Sequence, residues 1–322
     1  MERISIVVIG LNEEKRLKDC LASAVLSVVD GYDYEIIYVD SGSTDRSVEI
    51  ANSYPAVKVV DLNDSHPSAA KARNLGVSMT TGDFIQFIDG DSALDKDWLR
   101  KALPTLNSDE SIGAVFGSIE EVGDKKSIYM KACQFDWYTP PGDYRLCGGN
   151  ALWRRSVFEK VGLFDGELIA GEEPDLCFRV RQQGYRLVCL DLPMVKHDLD
   201  MNNFKDYWNR SVRSGIAYAT IAMRFRKTDE KLWLNEMFRN FIDPFVWLLI
   251  LLSGVFYAWF PAFVLLLIFL VYRIGKVVIK TRSRSDSLLD VLLYALHTQF
   301  SRIPLAYGQI IGLFSISNKS HI

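Results

Sequence analysis

Apolar residues in the first part of the chain alternate between two spacings. Residues 4–9 form a short continuous apolar run, the pattern of a buried strand. After Asn12 the set Leu17, Cys20, Leu21, Ala24, Val25 and Val28 falls at helical spacing. Residues 35–39 make a second strand that closes on Asp40-Ser41-Gly42-Ser43-Thr44-Asp45. Val48, Ala51 and Tyr54 then mark a helix with Ser43 or Thr44 as its N-cap. A strand over 57–62, a helix over 68–79 and a strand over 84–88 complete a βαβαβαβ run. Such a run predicts a largely parallel sheet with right-handed crossovers. Three strands end in an acid (Asp40, Asp61, Asp89), so one edge of the sheet is acidic.

After Glu121 the pattern loosens, and residues 122–146 carry none that predicts an element. Cys147-Gly148-Gly149-Asn150 leads into a helix over 155–161. Pro174 fits the first position of the next helix, with Glu173 near its N-cap. A strand over 185–190 precedes Lys196-His197-Asp198. A helix over 203–226 carries Phe204, Trp208, Val212 and Ala219 on one stripe.

The regime changes at Pro244. Residues 245–272 contain no charged side chain over 28 positions, a membrane-scale length. As one helix they would span roughly 42 Å, too long for a ~30 Å hydrocarbon core without strong tilt. Pro261 interrupts the run beside Tyr257, Trp259 and Phe260. Arg224, Arg226, Lys227 and Arg239 precede it; Arg273, Lys276, Lys280, Arg282 and Arg284 follow. Basic residues favour the cytoplasmic side, so the pattern predicts a membrane hairpin with both ends cytoplasmic. In the tail, Asp290, Tyr294, His297 and Ser301 form a polar stripe. They predict an amphipathic interfacial helix broken near Pro304.

Composition narrows the classes. A chain of 322 residues, 49% hydrophobic, allows one to three domains. Its net charge of −3 argues against nucleic acid as a partner. Cys20, Cys133, Cys147, Cys177 and Cys189 show no C-x-x-C spacing, which fits a reducing compartment. The first residues lack the apolar length of a signal peptide. No pattern bears on oligomeric state.

The chemistry concentrates at Asp89-Gly90-Asp91, where an apolar strand ends in two carboxylates. Ligands of open α/β sheets bind at that edge. Hard oxygen donors there suit Mg²⁺ or Mn²⁺, completed by substrate phosphates.

Five blocks, in order, resemble the family 2 glycosyltransferases of the GT-A type. They are Ser5–Glu14 (SIVVIGLNEE), Tyr38–Asp45 (YVDSGSTD), Ala70-Lys71-Ala72-Arg73-Asn74 with Thr81-Gly82-Asp83, Phe87–Asp91 (FIDGD), and Gly148-Gly149-Asn150 through Gly162-Leu163-Phe164-Asp165 to Gly171-Glu172-Glu173-Pro174-Asp175. The likeness covers about residues 3–200. It implies a GT-A nucleotide-binding, mixed but mostly parallel sheet flanked by helices over 1–225. A juxtamembrane helix (226–243), a membrane hairpin (244–280) and an amphipathic helix (285–316) would follow.

The resemblance also implies roles. Asp40 would contact the nucleobase, Asn12 and Glu13 would line base and ribose, and Arg73 would border the nucleotide. Asp89 would face ribose or sugar, and Asp91 with His197 would hold Mn²⁺ or Mg²⁺. Gly149 and Asn150 would border donor sugar and acceptor. An acid of the Glu172–Glu173 pair would be the base, activating an acceptor hydroxyl for inverting displacement. Arg210 and Arg213 stand where processive synthases carry a glutamine–arginine–tryptophan pattern, and could reach the diphosphate or a lipid phosphate. Plainer roles stay open: Asp40 and Asp45 as helix caps, Asp175 as a structural acid, Trp98, Trp137, Trp153 and Trp208 as core or groove wall, and Cys177 and Cys189 as packing. The expected activity is transfer from a nucleotide sugar to a lipid-linked or membrane-bound acceptor. It would take place on the cytoplasmic face of the cell membrane, in cell-surface polysaccharide or glycoconjugate synthesis. Alternatives are a polyprenyl-phosphate sugar synthase and a catalytically silent nucleotide-binding protein.

Overall fold

A computed structural model describes residues 1–122, 127–285 and 287–319. Residues 123–126 of the patternless stretch and Asp286 of the predicted 285–316 element lie outside the described residues. The chain forms two compact units, Met1–Gly123 with Trp137–Leu199, and Asp124–Asp136 with Asp200–Ile322.

The first unit begins as the apolar runs predict. β1 (Arg3–Gly10), β2 (Asp33–Asp40), β3 (Val57–Asp61) and β4 (Phe84–Asp89) lie parallel in the order β3-β2-β1-β4. α1 (Leu17–Leu26), α2 (Ser47–Asn52) and α3 (Ala69–Ser78) connect them. β1 and β4 are buried on both faces, which is why they read as continuous apolar runs. Gly10 pairs with Asp40, Asp40 with Asp61, and Ile9 with Asp89, so the three acids share one sheet edge.

The remaining strands make the sheet mixed. After β5 (Ser92–Leu94) come α4 (Trp98–Ser108), β6 (Ile112–Glu121), α5 (Ile128–Trp137), β7 (Gly142–Tyr144), β8 (Leu152–Arg154), α6 (Arg155–Val161), α7 (Glu172–Gln182) and β9 (Arg186–His197). β8 runs antiparallel between β4 and β6; β9 runs parallel to β6 and antiparallel to β5 and β7. Trp98 and Trp153 are buried in the core, where Trp98 donates to Gln86 at 2.8 Å.

Three local expectations are corrected. The N-cap position of α2 is Arg46, not Ser43 or Thr44; just before it, Asp45 Oδ1 accepts from the Ser47 N–H and hydroxyl at 2.9 and 2.6 Å. α7 begins earlier than predicted. Gly171 is its N-cap, so Glu172 and Glu173 occupy the first turn and Pro174 the third position. Proline costs nothing there, because first-turn N–H groups have no acceptor within the helix. β9 runs on to His197, seven residues past the predicted end.

The second unit is helical. α8 (Phe204–Phe225), α9 (Leu234–Phe256), α10 (Trp259–Thr281), α11 (Leu288–Phe300) and α12 (Arg302–Lys319) follow in order. The predicted stripe of α8 is off by about one position. Tyr207, Ser211, Gly215, Ala219 and Ala222 are the buried set, while Phe204 is exposed. Small residues face inward because α8 and α12 touch backbone to backbone: a Cβ on Gly308 would lie 2.0 Å from the Val212 carbonyl. α8 belongs to the second compact unit.

α9 and α10 form a helical hairpin that turns at Tyr257 and Ala258. Both are long and apolar enough to cross a membrane, and most of their side chains are exposed. α9 runs through Pro244, where the sequence places a boundary. Asp243 pairs with Arg273, and Arg302 Nε lies 3.5 Å from the same carboxylate. Asn240 accepts from Arg302 and donates to Gln309 at 2.9 Å. The polar stripe of α11 packs within its own unit. Asp290 meets Lys131 at 3.0 Å, and the Tyr294 hydroxyl donates to Asp136 at 2.6 Å. Leu289, Leu292, Leu296 and Phe300 lie on the exposed side. The tail breaks at Ser301, three residues before Pro304.

Candidate active site

Asp91 and His197 meet at the acidic sheet edge. β5 and β9 pair with Ser92 opposite His197, which puts Nε2 of the imidazole 3.3 Å from Asp91 Oδ2. On its other side Nδ1 lies 3.2 Å from Oε2 of Glu121, a wholly buried acid ending β6. The Trp137 ring packs edge-on against the imidazole at 4.8 Å. Burial alone would lower the His197 pKa, but hydrogen bonds to Asp91 and Glu121 outweigh it and raise it to about 9. Burial would likewise raise Asp91; His197 reverses that and holds it below the usual carboxylate value. Beside them Glu13 pairs with Arg16 at 2.6 Å. Burial pushes Glu13 up to about 7, Arg16 opposes, and the Asp91 charge adds to the rise.

A second cluster centres on Arg73, buried on α3. Its guanidinium lies 2.9 Å from Asp89, 3.3 Å from Glu173 and 3.6 Å from Glu172, and 5.6 Å from the Phe164 ring. Asn74 fixes Phe164 through two backbone hydrogen bonds of 2.8 and 3.0 Å. Asn150 accepts the Asp89 N–H at 2.8 Å and donates to its carboxylate at 3.4 Å. Gly149 underlies the pair: a Cβ there would fall 2.0 Å from Arg73 Nη2. Glu173 keeps 25% of its side chain exposed against 8% for Glu172. Burial raises the Glu173 pKa, Arg73 pulls it down, and Glu172 pushes it up again.

The loops after β1 and β2 are stitched together. Asn12 Oδ1 accepts the Thr44 N–H at 2.8 Å, and its own N–H donates to Ser43 Oγ at 2.9 Å. Asp40 is nearly buried, and four donors occupy its carboxylate: Gly42 and Ser43 N–H, and the Ser43 and Tyr38 hydroxyls. A carboxylate offers about four acceptor sites. Asp40 therefore holds this loop in shape.

Residues 5–162 match the family model described as Glycosyl transferase family 2. The chain belongs to glycosyl transferase family 2. The matched family 2 segment carries Asp40, Arg73, Asp89, Asp91, Gly149 and Asn150; Glu172, Glu173 and His197 lie beyond it. Among similar proteins is the probable glycosyltransferase YdaM of Bacillus subtilis, 25% identical over 76% of this chain and 63% of that protein. Glycosyltransferase AglE of Haloferax volcanii is 25% identical over 57% of this chain, and is also covered to 63%. The chain thus spans under two thirds of the length of these two relatives. A Methanococcus voltae protein is matched nearly end to end, at 22% identity over 97% of this chain and 98% of that one. It is named a dolichyl N-acetyl-α-D-glucosaminyl phosphate 3-β-D-2,3-diacetamido-2,3-dideoxy-β-D-glucuronosyltransferase. Among solved structures, mannosyltransferase PcManGT from Pyrobaculum calidifontis, in complex with GDP-Man and Mn²⁺, superposes with a TM-score of 0.69. The identity is 17%, covering 98% of this chain and 88% of that one. TarS of S. aureus with UDP-GlcNAc gives 0.54 at 16% identity, covering 96% and 92%. These structures share the GT-A fold with this chain.

Of the candidates named from sequence, the geometry joins Arg73, Asp89, Gly149, Asn150, Glu172 and Glu173 in one cluster, and Glu13, Asp91 and His197 in another. Arg210 and Arg213 are exposed on α8 in the second unit. Asp175 is structural: it binds Arg179 at 2.9 Å, and Arg179 in turn donates to the carbonyls of Val161 and Leu163. Cys177 and Cys189 are buried, as packing residues would be. Glu121 and Arg16 escaped the sequence reading. The one signal for Glu121 is its place at the end of an apolar strand, as with Asp89.

Asp91 and His197 fit a divalent cation. Their 3.3 Å separation is close to the roughly 3 Å between neighbouring donors of an octahedral ion with ~2.1 Å bonds. Among the described residues no group of three or more His, Cys, Asp or Glu side chains encloses an ion. Two protein donors completed by phosphates is the usual arrangement for Mg²⁺-like ions.

Proposed function

We propose that this protein is a membrane-anchored, inverting glycosyltransferase. It moves a sugar from a nucleotide-sugar donor to a hydroxyl of a lipid-linked or membrane-bound acceptor, as in cell-surface polysaccharide or glycoconjugate synthesis. One observation carries it. Asp89, Arg73 and Glu173 form a continuous charged cluster on the sheet edge that also presents Asp91 and His197.

In this scheme Asp91 and His197 hold Mn²⁺ or Mg²⁺, whose chemistry when bound is to neutralise the departing diphosphate. Asn12 and Glu13 line the nucleotide, with the loop that Asp40 holds in shape. Asp89, oriented by Asn150, faces the ribose or sugar, and Gly149 gives the sugar a flat floor. Glu173 takes the acceptor proton, being the more exposed acid of its pair. Its raised pKa makes it a stronger base, while Arg73 opposes the rise. General-base help of this kind contributes about 10²–10⁴-fold. Arg210 and Arg213, exposed on α8, are suited to a lipid phosphate.

The α9–α10 hairpin is the anchor. Residues 200–285 carry 13 Lys and Arg against 6 Asp and Glu, which supports a cytoplasmic placement of the hairpin's ends. The name of the Methanococcus voltae relative supports a lipid-linked sugar as acceptor over a bare polyprenyl phosphate. The GDP-Man and Mn²⁺ complex of PcManGT supports the donor class and the ion.

The test uses the full chain in nanodiscs with Mn²⁺, a panel of sugar nucleotides, and either polyprenyl phosphate or polyprenyl-diphosphate sugar. Transfer with inverted anomeric configuration is expected with the latter. Asp91→Ala should abolish it; Glu173→Gln should keep donor binding and lose transfer. Full activity in Glu173→Gln would move the base elsewhere, and transfer only to bare polyprenyl phosphate would replace the acceptor class.

A further inference from the structure

We propose that Glu121 is the positioning residue that makes His197 a metal ligand, an inference that presupposes the divalent-cation site proposed above. Three adjacent strands bring the groups together. β5, β9 and β6 lie side by side, with Ser92 opposite His197 and His197 opposite Glu121. Backbone bonds hold that register: Asp198 N–H to the Asp91 carbonyl at 3.0 Å, and Val122 N–H to the His197 carbonyl at 2.8 Å.

The two oxygens of Glu121 have different partners. Oε1 accepts the Leu199 N–H at 2.9 Å, and Oε2 faces His197 Nδ1 at 3.2 Å. An ionised carboxylate only accepts, so Nδ1 must carry a proton. Nε2 is then the nitrogen left to donate a lone pair, and it is the one beside Asp91. The Trp137 edge limits rotation of the ring. A carboxylate behind a ligating histidine fixes its tautomer and raises its basicity, and loss of such a partner typically weakens metal binding 10–100-fold. An imidazole nitrogen in the donor set also favours Mn²⁺ over Mg²⁺.

Glu121→Gln is the informative substitution, because it is nearly isosteric. Its amide oxygen would take the Leu199 N–H, leaving the NH₂ toward Nδ1. That stabilises the opposite tautomer, with the proton on Nε2 and no lone pair for an ion. The experiment titrates Mn²⁺ into the full chain in nanodiscs, without donor, reading free Mn²⁺ by electron paramagnetic resonance, with Mg²⁺ as competitor. Thermal unfolding of the metal-free proteins runs in parallel. The expected result is Mn²⁺ binding about 10–100-fold weaker in Glu121→Gln, a reduced preference for Mn²⁺ over Mg²⁺, and an unchanged metal-free midpoint. Equal Mn²⁺ affinity in wild type and variant overturns the proposal while leaving the metal site standing. A wild-type protein that does not bind Mn²⁺ removes the site and the proposal together. If Glu121→Gln fails to fold, ¹⁵N-histidine spectra of the wild type with Mg²⁺ decide, with His197 assigned by difference against His197→Gln. A protonated Nδ1 with a bare Nε2 supports the proposal, and the reverse overturns it.

Discussion

Removing the Arg73 guanidinium should damage stability and catalysis in separable ways. Arg73→Met leaves Asp89, Glu172 and Glu173 clustered with no cation, where the wild type has contacts of 2.9, 3.6 and 3.3 Å. Two unit charges 3.3 Å apart attract by about 5 kcal/mol at an effective dielectric of about 20. Water at the quarter-exposed Glu173 screens part of that. Breaking a buried pair from one side costs about 3–5 kcal/mol, and we expect the loss in denaturant unfolding near the lower end. The pH profile carries the mechanistic content. Glu173 works as a base only when ionised, and Arg73 is what opposes its raised pKa. Without Arg73 that pKa rises further, so the acid limb of kcat must move to higher pH. Arg73→Lys keeps the charge but cannot fork between Asp89 and Glu173, so it should restore stability more than rate. An acid limb that stays in place in folded Arg73→Met would refute the assignment of Glu173 as the base held by Arg73.

Other outcomes follow from single contacts. Gly149→Ala puts a Cβ 2.0 Å from Arg73 Nη2 and should lower kcat/KM about 10²-fold through misplacement of the cluster, with a loss of stability as the Arg73 contacts shift; unaltered kinetics would contradict the packing. Glu13, raised to about 7, binds a proton in the folded state at pH values where the unfolded chain has lost it. Stability from this group is therefore present below about 4.5 and lost as pH rises toward 7, by at most about 1.4 kcal/mol per pH unit. Glu13→Gln should flatten that slope in unfolding measured across this window. Gly308→Leu forces α12 off α8, where the Cβ position is 2.0 Å from the Val212 carbonyl. It should cost about 1–3 kcal/mol or more in detergent-resistance assays.

The first sheet half was legible because parallel strands buried on both faces are mainly apolar, and the buried stretches of β1, β2 and β4 are, with Ser5 and Gln86 as polar interruptions. The Asp40, Asp61 and Asp89 edge followed from strand ends alone. β9 was cut short because Pro193 and alternating exposed positions such as Lys196 weaken an apolar run, while its pairing with β6 passes through register shifts. Glu121 and His197 are 76 positions apart, and no local pattern reports a register set by three strands. The buried face of α8 was missed for a different reason. Large aromatics such as Phe204 looked like core, but around Gly215 the helix comes so close to α12 that small residues occupy much of its buried face. The motif around Asp40 was visible in the sequence, but not the four donors from Tyr38, Gly42 and Ser43 that surround its carboxylate.

The Asp243, Arg273, Arg302, Asn240 and Gln309 network draws on α9, α10 and α12 at once. In apolar surroundings each of these groups is costly until its partners arrive. As the proposed membrane anchor, the hairpin is therefore not detachable. Cut off before Arg302, it would carry Asn240 without its two partners and Asp243 with one arginine instead of two. In the proposed membrane setting, insertion of α9 and α10 would wait for, or be completed by, the docking of the last helix. Grafting this hairpin onto another enzyme would transfer its length and its apolar surface but not its ability to assemble.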